Sequence, residues 1–179
     1  MIRCGIGYDV HRLAKGRKLI LGGIEITHSH GLEGHSDADV LSHAIADALL
    51  GAIAAGDIGQ HFPNTDESIR GMSSIEILRR VAALLIQNQA RAINVDATII
   101  AEAPKIAPHI PAMRKIIAQA IAVDELRVAI KATTNEKLGA IGRGEGIAAM
   151  AIATVEIVGR ERRARRKSNG QPGGPSLPG

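Results

Sequence analysis

Apolar positions along the chain alternate between two spacings. From Val40 they recur at helical intervals, as Val40, Leu41, Ala44, Ile45, Ala48, Leu49 and Ile53. This spacing predicts an amphipathic helix over about 38–55. Ser36 and Asp37 stand where an N-cap belongs. The capping box Ser73-Ser74-Ile75-Glu76 opens a second predicted helix, running to about Ala90. Pro108 or Pro111 opens a third, ending near Ala122. Strand-like runs occupy 3–10, 93–101, 126–133 and 146–158. Lys18–Leu21 and Ile24–Thr27 flank Gly22-Gly23, a predicted hairpin. The last strand is apolar on both faces, with Ile147, Ala149, Ala151, Ala153, Val155 and Ile157 on one side and Ala148, Met150 and Ile152 on the other. A strand of that kind is buried on both faces. Three helices cover one face of a small sheet, so another subunit is expected on the second. The expected fold is α+β: a small mixed four-stranded sheet with helices on one face.

Composition sharpens this picture. At 179 residues and 45% apolar content, a single domain with a full core is expected. Tyr8 and Phe62 are its only aromatics, so the core is aliphatic and the composition argues against a nucleic-acid reader that stacks bases on aromatic side chains. The net charge of +4 comes from a tail. Residues 160–167 carry five Arg, one Lys and one Glu, and the remainder has 16 basic and 17 acidic residues. From Gly159 the chain turns basic and then Gly/Pro-rich, so residues 1–158 are the expected domain and 159–179 a disordered tail. A nucleic-acid partner would rest on that tail alone. Cys4 is the single cysteine, which precludes an internal disulfide and fits a reducing cytosol. No signal core and no apolar run of membrane-spanning length is present. A cytoplasmic setting without a membrane partner is expected.

Candidate chemistry gathers at the first strand and first helix. Asp9 and His11 are two apart and share a strand face. Asp39, His43 and Asp47 share a helix face, with Asp47 the expected supporting partner of His43. Such a face also fits a capping aspartate and a solvated surface. Asp9, His11 and His43 together form a carboxylate and two imidazoles, a common zinc shell with one open position. Glu136 suits a harder ion such as magnesium. Gly56 to Asp66 is a polar loop, either a lid or a plain connection. His28 and His30 read as ordinary loop histidines. The turn from Thr134 to Gly146 is dense in glycine, hydroxyl and charge, which suits phosphate oxygens. Two cations and such a turn suggest chemistry on a phosphate or diphosphate.

Seven motifs occur in one order: Tyr8-Asp9-Val10-His11, His35-Ser36-Asp37-Ala38-Asp39, Asp57-Ile58-Gly59, Phe62-Pro63-Asn64-Thr65-Asp66, Ala103-Pro104-Lys105, Lys131 to Gly139, and Gly142-Arg143-Gly144-Glu145-Gly146. The set closely resembles the 2-C-methyl-D-erythritol 2,4-cyclodiphosphate synthases of non-mevalonate isoprenoid biosynthesis, over roughly residues 1–158. The resemblance implies a homotrimer with sheets packed around a threefold axis and active sites between adjacent subunits. It implies a small-molecule substrate, 4-diphosphocytidyl-2-C-methyl-D-erythritol 2-phosphate, cyclised with loss of CMP. By the same resemblance Asp9, His11 and His43 hold zinc, and Glu136 meets magnesium or manganese on the diphosphate. His35 and Thr134 become the catalytic pair that stabilises the phosphates, with Ser36 beside His35. Asp57, Ile58, Gly59, Phe62, Pro63, Asn64, Thr65 and Asp66 hold the methylerythritol. Ala101, Glu102, Ala103, Pro104, Lys105, Ile106 and Ala107 read the cytosine. Thr133, Thr134, Asn135, Glu136, Ala140 and Arg143 take the nucleotide phosphates. Asn64 replaces a common acid, Ala140 a common aromatic and Asn135 a frequent threonine. A zinc hydrolase acting on a phosphoester and a silent trimeric CMP-binding module are the rival readings.

Overall fold

The computed structural model describes residues 1–63, 65, 67 and 71–158. Asn64, Asp66 and the tail from 159 lie outside the described residues. The chain forms β1 (Ile2–Lys15), β2 (Leu19–Leu21), β3 (Ile24–Ile26), β4 (His30–Leu32), α1 (Val40–Ala52), α2 (Ile58–His61), α3 (Ser74–Gln87), β5 (Ala90–Ile100), α4 (Ile110–Ala120), β6 (Val128–Thr133), α5 (Gly139–Gly142) and β7 (Gly146–Ile157). The main sheet runs β4-β1-β7-β5-β6, and β2 pairs with β3 as a separate hairpin. Only β5 and β6 are parallel, joined by the crossover through α4. The α+β class and mixed sheet agree with the sequence, but the sheet has five strands rather than four. The additional strand, β4, pairs three residues with the far end of β1, Leu13 to Lys15. Three residues are too few to show a period of two.

The parity of β1 organises the layers. Odd residues face the helices. A Cβ on Gly5 or Gly7 would lie 2.0 Å from the carbonyl oxygens of Ala48 or Ala44. The absence of side chains there lets the alanine face of α1 rest directly on the strand. Asp9 and His11 continue the same face, so they emerge beside the first turn of α1. The core is aliphatic: Leu41, Ile45, Leu49, Leu78, Leu85, Ile99, Met113 and Ile117 are fully buried. α1 packs on β1 and β7, while α3 packs on α1 and α4.

Even residues face away from the helices. Ile6 is 64% exposed, Tyr8 55% and Ile152 51%. Val10 and Met150 are exposed beside them. Register pairs Ile6 with Ile152 and Tyr8 with Met150, so these side chains form one contiguous apolar patch. Within one chain the last strand is therefore buried along its odd face, while its even face is buried only at Gly146 and Ala148 and is exposed at Met150 and Ile152. Among the described residues no helix is long and apolar enough to cross a membrane.

Capping at α1 differs from the sequence expectation. The N-cap is Asp39, not Ser36 or Asp37, and its side chain accepts from the Ser42 amide at 3.1 Å. The same fully buried carboxylate accepts from the amides of Gly22 at 2.9 Å and Gly23 at 2.8 Å. Burial pushes the Asp39 carboxyl up, opposed by these donors and the Ser42 hydroxyl. The hairpin turn thus fixes where α1 starts. Ser73 is the N-cap of α3 as predicted, but the full capping box does not form: Ser73 accepts from the Ile75 amide at 3.3 Å, and Glu76 turns to Arg79 and Arg80 instead of back to the Ser73 amide. α2 and α5 are one-turn helices within stretches the sequence reads as a loop and a turn.

Candidate metal centre and active site

Asp9 and His11 come from β1, and His43 from the first turn of α1. Asp9 Oδ2 lies 2.9 Å from His11 Nε2 and 2.9 Å from His43 Nδ1. The two nitrogens are 3.3 Å apart. Arms of about 2.0–2.1 Å in tetrahedral geometry separate zinc ligands by roughly 3.3 Å. The three donor atoms therefore fit three corners of a zinc tetrahedron. They form the one group of this kind among the described residues. His11 Nδ1 lies 2.5 Å from the Glu33 carbonyl. A carbonyl only accepts, so that nitrogen carries the hydrogen and Nε2 is the one free for a metal.

The group is half-buried, which shapes its charges. Burial opposes ionisation of Asp9, but hydrogen bonds from His11 and His43 hold its carboxyl well below the usual range. Burial also lowers His11, yet its hydrogen bond to Asp9 carries it above the ordinary 6.5. The carboxylate and a shared cation stabilise each other.

A cavity of about 220 Å³ opens onto this group, lined by Gly34, His35, Ser36, Ile58, Gly59, Phe62 and Ile77 besides the three donors. Of the residues assigned by resemblance, it gathers Asp9, His11, His35, Ser36, Ile58, Gly59 and Phe62. Asp57 caps α2 and accepts from Gln60 N at 3.0 Å, which presents Ile58 and Gly59 to the cavity. Pro63 and Thr65 are not part of this lining.

The nucleotide-side residues form a second cluster. Glu102 Oε1 accepts from the amides of Asn135 at 2.9 Å and Lys137 at 3.2 Å. Ala101 N donates to the Thr133 carbonyl at 3.0 Å. The segment 101–107 is thus tied to the turn 133–138. Within the turn, Thr134 Oγ1 donates to Glu136 Oε1 at 2.8 Å. Arg143 Nε donates to Glu145 at 2.6 Å. Thr133 to Ala140 and Arg143 are exposed. This cluster stands at β6, three strands from β1. At about 4.8 Å per strand that is roughly 14 Å. One chain does not bring Thr134 or Glu136 to the cavity.

Asp47 differs from expectation. Its Oδ1 accepts from the Ile58 amide at 2.8 Å, so it anchors α2 rather than His43. Burial raises its carboxyl, with that hydrogen bond opposing. The partners of His43 Nε2 are instead Ser74 Oγ at 2.9 Å and Ser36 Oγ at 3.2 Å. Ser74 also donates to Asp37. The sequence signal for Ser74 was its place in the capping box, which shows a cap and not a site. His28 and His30 contact each other's segment and stand apart from the cavity.

Comparison with known proteins follows this geometry. A match to the YgbB family covers residues 2–156. The 2-C-methyl-D-erythritol 2,4-cyclodiphosphate synthase of Alkaliphilus metalliredigens is 60% identical over 154 residues, 86% of this chain and 97% of that protein. The structure of the bifunctional IspDF from Campylobacter jejuni superposes with a TM-score of 0.84 at 39% identity, over 88% of this chain and 42% of that one. Plasmodium falciparum IspF, solved as a CDP complex, gives a TM-score of 0.76 at 33% identity, over 88% of this chain and 97% of that chain.

Proposed function

The chain belongs to the YgbB family, and from that premise we propose how its two clusters divide the work. It is a lyase acting on phosphorus–oxygen bonds. It converts 4-diphosphocytidyl-2-C-methyl-D-erythritol 2-phosphate to 2-C-methyl-D-erythritol 2,4-cyclodiphosphate. An oxygen of the 2-phosphate forms a bond to the β-phosphorus, the bond to the α-phosphate oxygen breaks, and CMP leaves.

The observation that carries the reading is the convergence of Asp9 Oδ2, His11 Nε2 and His43 Nδ1 at zinc-ligand spacing beside a cavity. Zinc held there supplies a Lewis acid that draws charge from the β-phosphate. His35 and Ser36, on the cavity wall, orient phosphate oxygens. Ile58, Gly59 and Phe62 enclose the methylerythritol, and the family resemblance assigns Asp57, Pro63, Asn64, Thr65 and Asp66 to the same part of the substrate. Residues 101–107 read cytosine, and Thr133, Thr134, Asn135, Ala140 and Arg143 hold the nucleotide phosphates. Glu136 offers a carboxylate to magnesium or manganese on the diphosphate.

The apolar patch of Ile6, Tyr8, Val10, Met150 and Ile152 supports a homotrimer packed through its sheets. Each active site then joins the zinc half of one subunit to the nucleotide half of its neighbour. The wide separation of the halves within one chain favours that arrangement. Residues 1–158 form the catalytic domain, and its water-soluble substrate and lone Cys4 fit the cytoplasm.

Mass spectrometry of the zinc-loaded protein with the diphosphocytidyl substrate and magnesium tests this. Equimolar CMP and cyclic diphosphate are expected. Inorganic phosphate or an open-chain product would mean a hydrolase. CMP binding without turnover would mean a binding module.

A further inference from the structure

Two polar side chains beside His43 touch neither the three donor atoms nor the cavity. Ser74 is fully buried in the first turn of α3, and Asp37 is half-buried ahead of α1. Asp37 accepts the Ser74 amide at 3.0 Å and also the Ser74 hydroxyl. Ser74 Oγ lies 2.9 Å from His43 Nε2. A carboxylate has no hydrogen to give, so the single hydroxyl hydrogen of Ser74 goes to Asp37. Toward His43 the Ser74 oxygen can then only accept. A hydrogen on His43 Nε2 satisfies this oxygen and leaves the lone pair of the ring on Nδ1, the nitrogen 2.9 Å from Asp9 Oδ2. The Asp9 carboxylate, which also only accepts, competes for that hydrogen, and a cation held by Asp9 removes the competition.

We propose that Asp37 and Ser74 are positioning residues that set the tautomer of His43 and aim its lone pair at the zinc. Functionally this rests on the zinc reading above, although the tautomer itself can be observed without metal. The arrangement mirrors His11, whose far nitrogen is committed to the Glu33 carbonyl. Ser36 Oγ, 3.2 Å from His43 Nε2, is a longer second acceptor and already receives the Ala38 amide. The Asp37 stretch is fastened further by its own amide, which donates to the Met72 carbonyl at 3.2 Å. Gly71 N donates to the His35 carbonyl at 2.9 Å. The zinc ligand His43 and the cavity residue His35 therefore share one support, the approach to α3.

The polarity of the chain makes a sharp test. In Asp37→Asn the amide oxygen can keep the Ser74 amide hydrogen while the amide nitrogen donates to Ser74 Oγ. Ser74 would then donate to His43 Nε2, and the ring hydrogen would move to Nδ1, facing Asp9 and the metal position. The Ser74 amide bond is kept and the two bonds through the Ser74 hydroxyl reverse; only the 3.3 Å bond from the Asp39 amide to Asp37 Oδ1 is lost, so the fold persists. Zinc affinity, measured by chelator competition, should fall roughly 10–100-fold, the range for supporting partners of metal ligands. Ser74→Ala should weaken zinc in the same sense, and Ser74→Thr should restore it.

Long-range proton–nitrogen NMR of the histidines in the metal-free protein at alkaline pH reads the tautomer directly. The wild type should show hydrogen on His43 Nε2, and Asp37→Asn should show it on Nδ1. Hydrogen on Nδ1 in the wild type overturns the proposal with no variant needed, which also covers the case of a variant that fails to fold. A folded Asp37→Asn with unchanged tautomer and zinc affinity overturns it equally. A wild type with the expected tautomer but no zinc binding would sink the zinc reading and leave the tautomer assignment standing.

Discussion

The two halves of the proposed active site are built from different materials. The zinc half consists of side chains on regular elements: Asp9 and His11 on β1, His43 on α1. Each is half-buried and braced, His11 by the Glu33 carbonyl and His43 by Ser74. The proposed nucleotide half is mostly loop backbone, held by Glu102 through two amides and by Asn135 Nδ2, which donates to the Leu138 carbonyl. Its residues from Thr133 to Ala140 are exposed. Glu136 and Lys137 sit at positive φ, +49° and +61°, a strained setting for residues with a Cβ. One cluster brings its donor atoms together within a single chain, and the other lies exposed on the surface. A site that needs charge neutralisation and nucleotide recognition can keep its metal inside one fold and leave recognition to an interface.

The largest expected effect separates the halves. Ile152→Asp puts a charge in the apolar patch opposite Ile6. Sedimentation should show dissociation of the trimer and assays should show loss of turnover, while bound zinc stays at one per chain. Loss of zinc together with turnover would show that the zinc half depends on the neighbour as well.

A smaller effect probes the zinc half alone. His11 has its affinity for a proton raised by Asp9, so its contribution to stability is present below 6.5 and lost as pH rises through its folded value. Asp9 acts oppositely: its contribution is present above 3.8 and lost as pH falls toward its depressed folded value. Metal-free protein should therefore melt at progressively lower temperature as pH rises above 6.5. Zinc replaces the proton, so zinc affinity should rise over the same interval and the zinc-loaded melting temperature should stay level. Parallel melting curves with and without zinc would contradict the assigned ligand set.

Much of the zinc half was legible in the sequence, because it follows periods. Two residues apart on a strand fixes the face of Asp9 and His11, and helical spacing places His43 at the start of α1. What escaped was settled by contacts distant in the chain. Ser36, Asp37 and Asp39 are all good caps, and the amides of Gly22 and Gly23 select Asp39. Asp47 shares a helix face with His43, but the Ile58 amide claims it. Ser74 and Asp37 lie 37 residues apart and meet only in the fold. The strand β4 and the helices α2 and α5 are shorter than any period can show. For the proposed nucleotide half, motif resemblance alone suggested the residues, since an exposed turn leaves no periodic side-chain pattern to read.

The central claim is that each active site joins the zinc half of one subunit to the nucleotide half of the next. Subunit mixing tests it most directly. His43→Ala disables one half and Glu136→Ala the other, and each homotrimer should be inactive. Equal co-expression leaves a site intact only where an unaltered zinc half meets an unaltered nucleotide half. In a head-to-tail ring that occurs at about a quarter of sites, so about a quarter of wild-type activity should return. Continued inactivity in trimers verified to contain both chains would contradict the shared site.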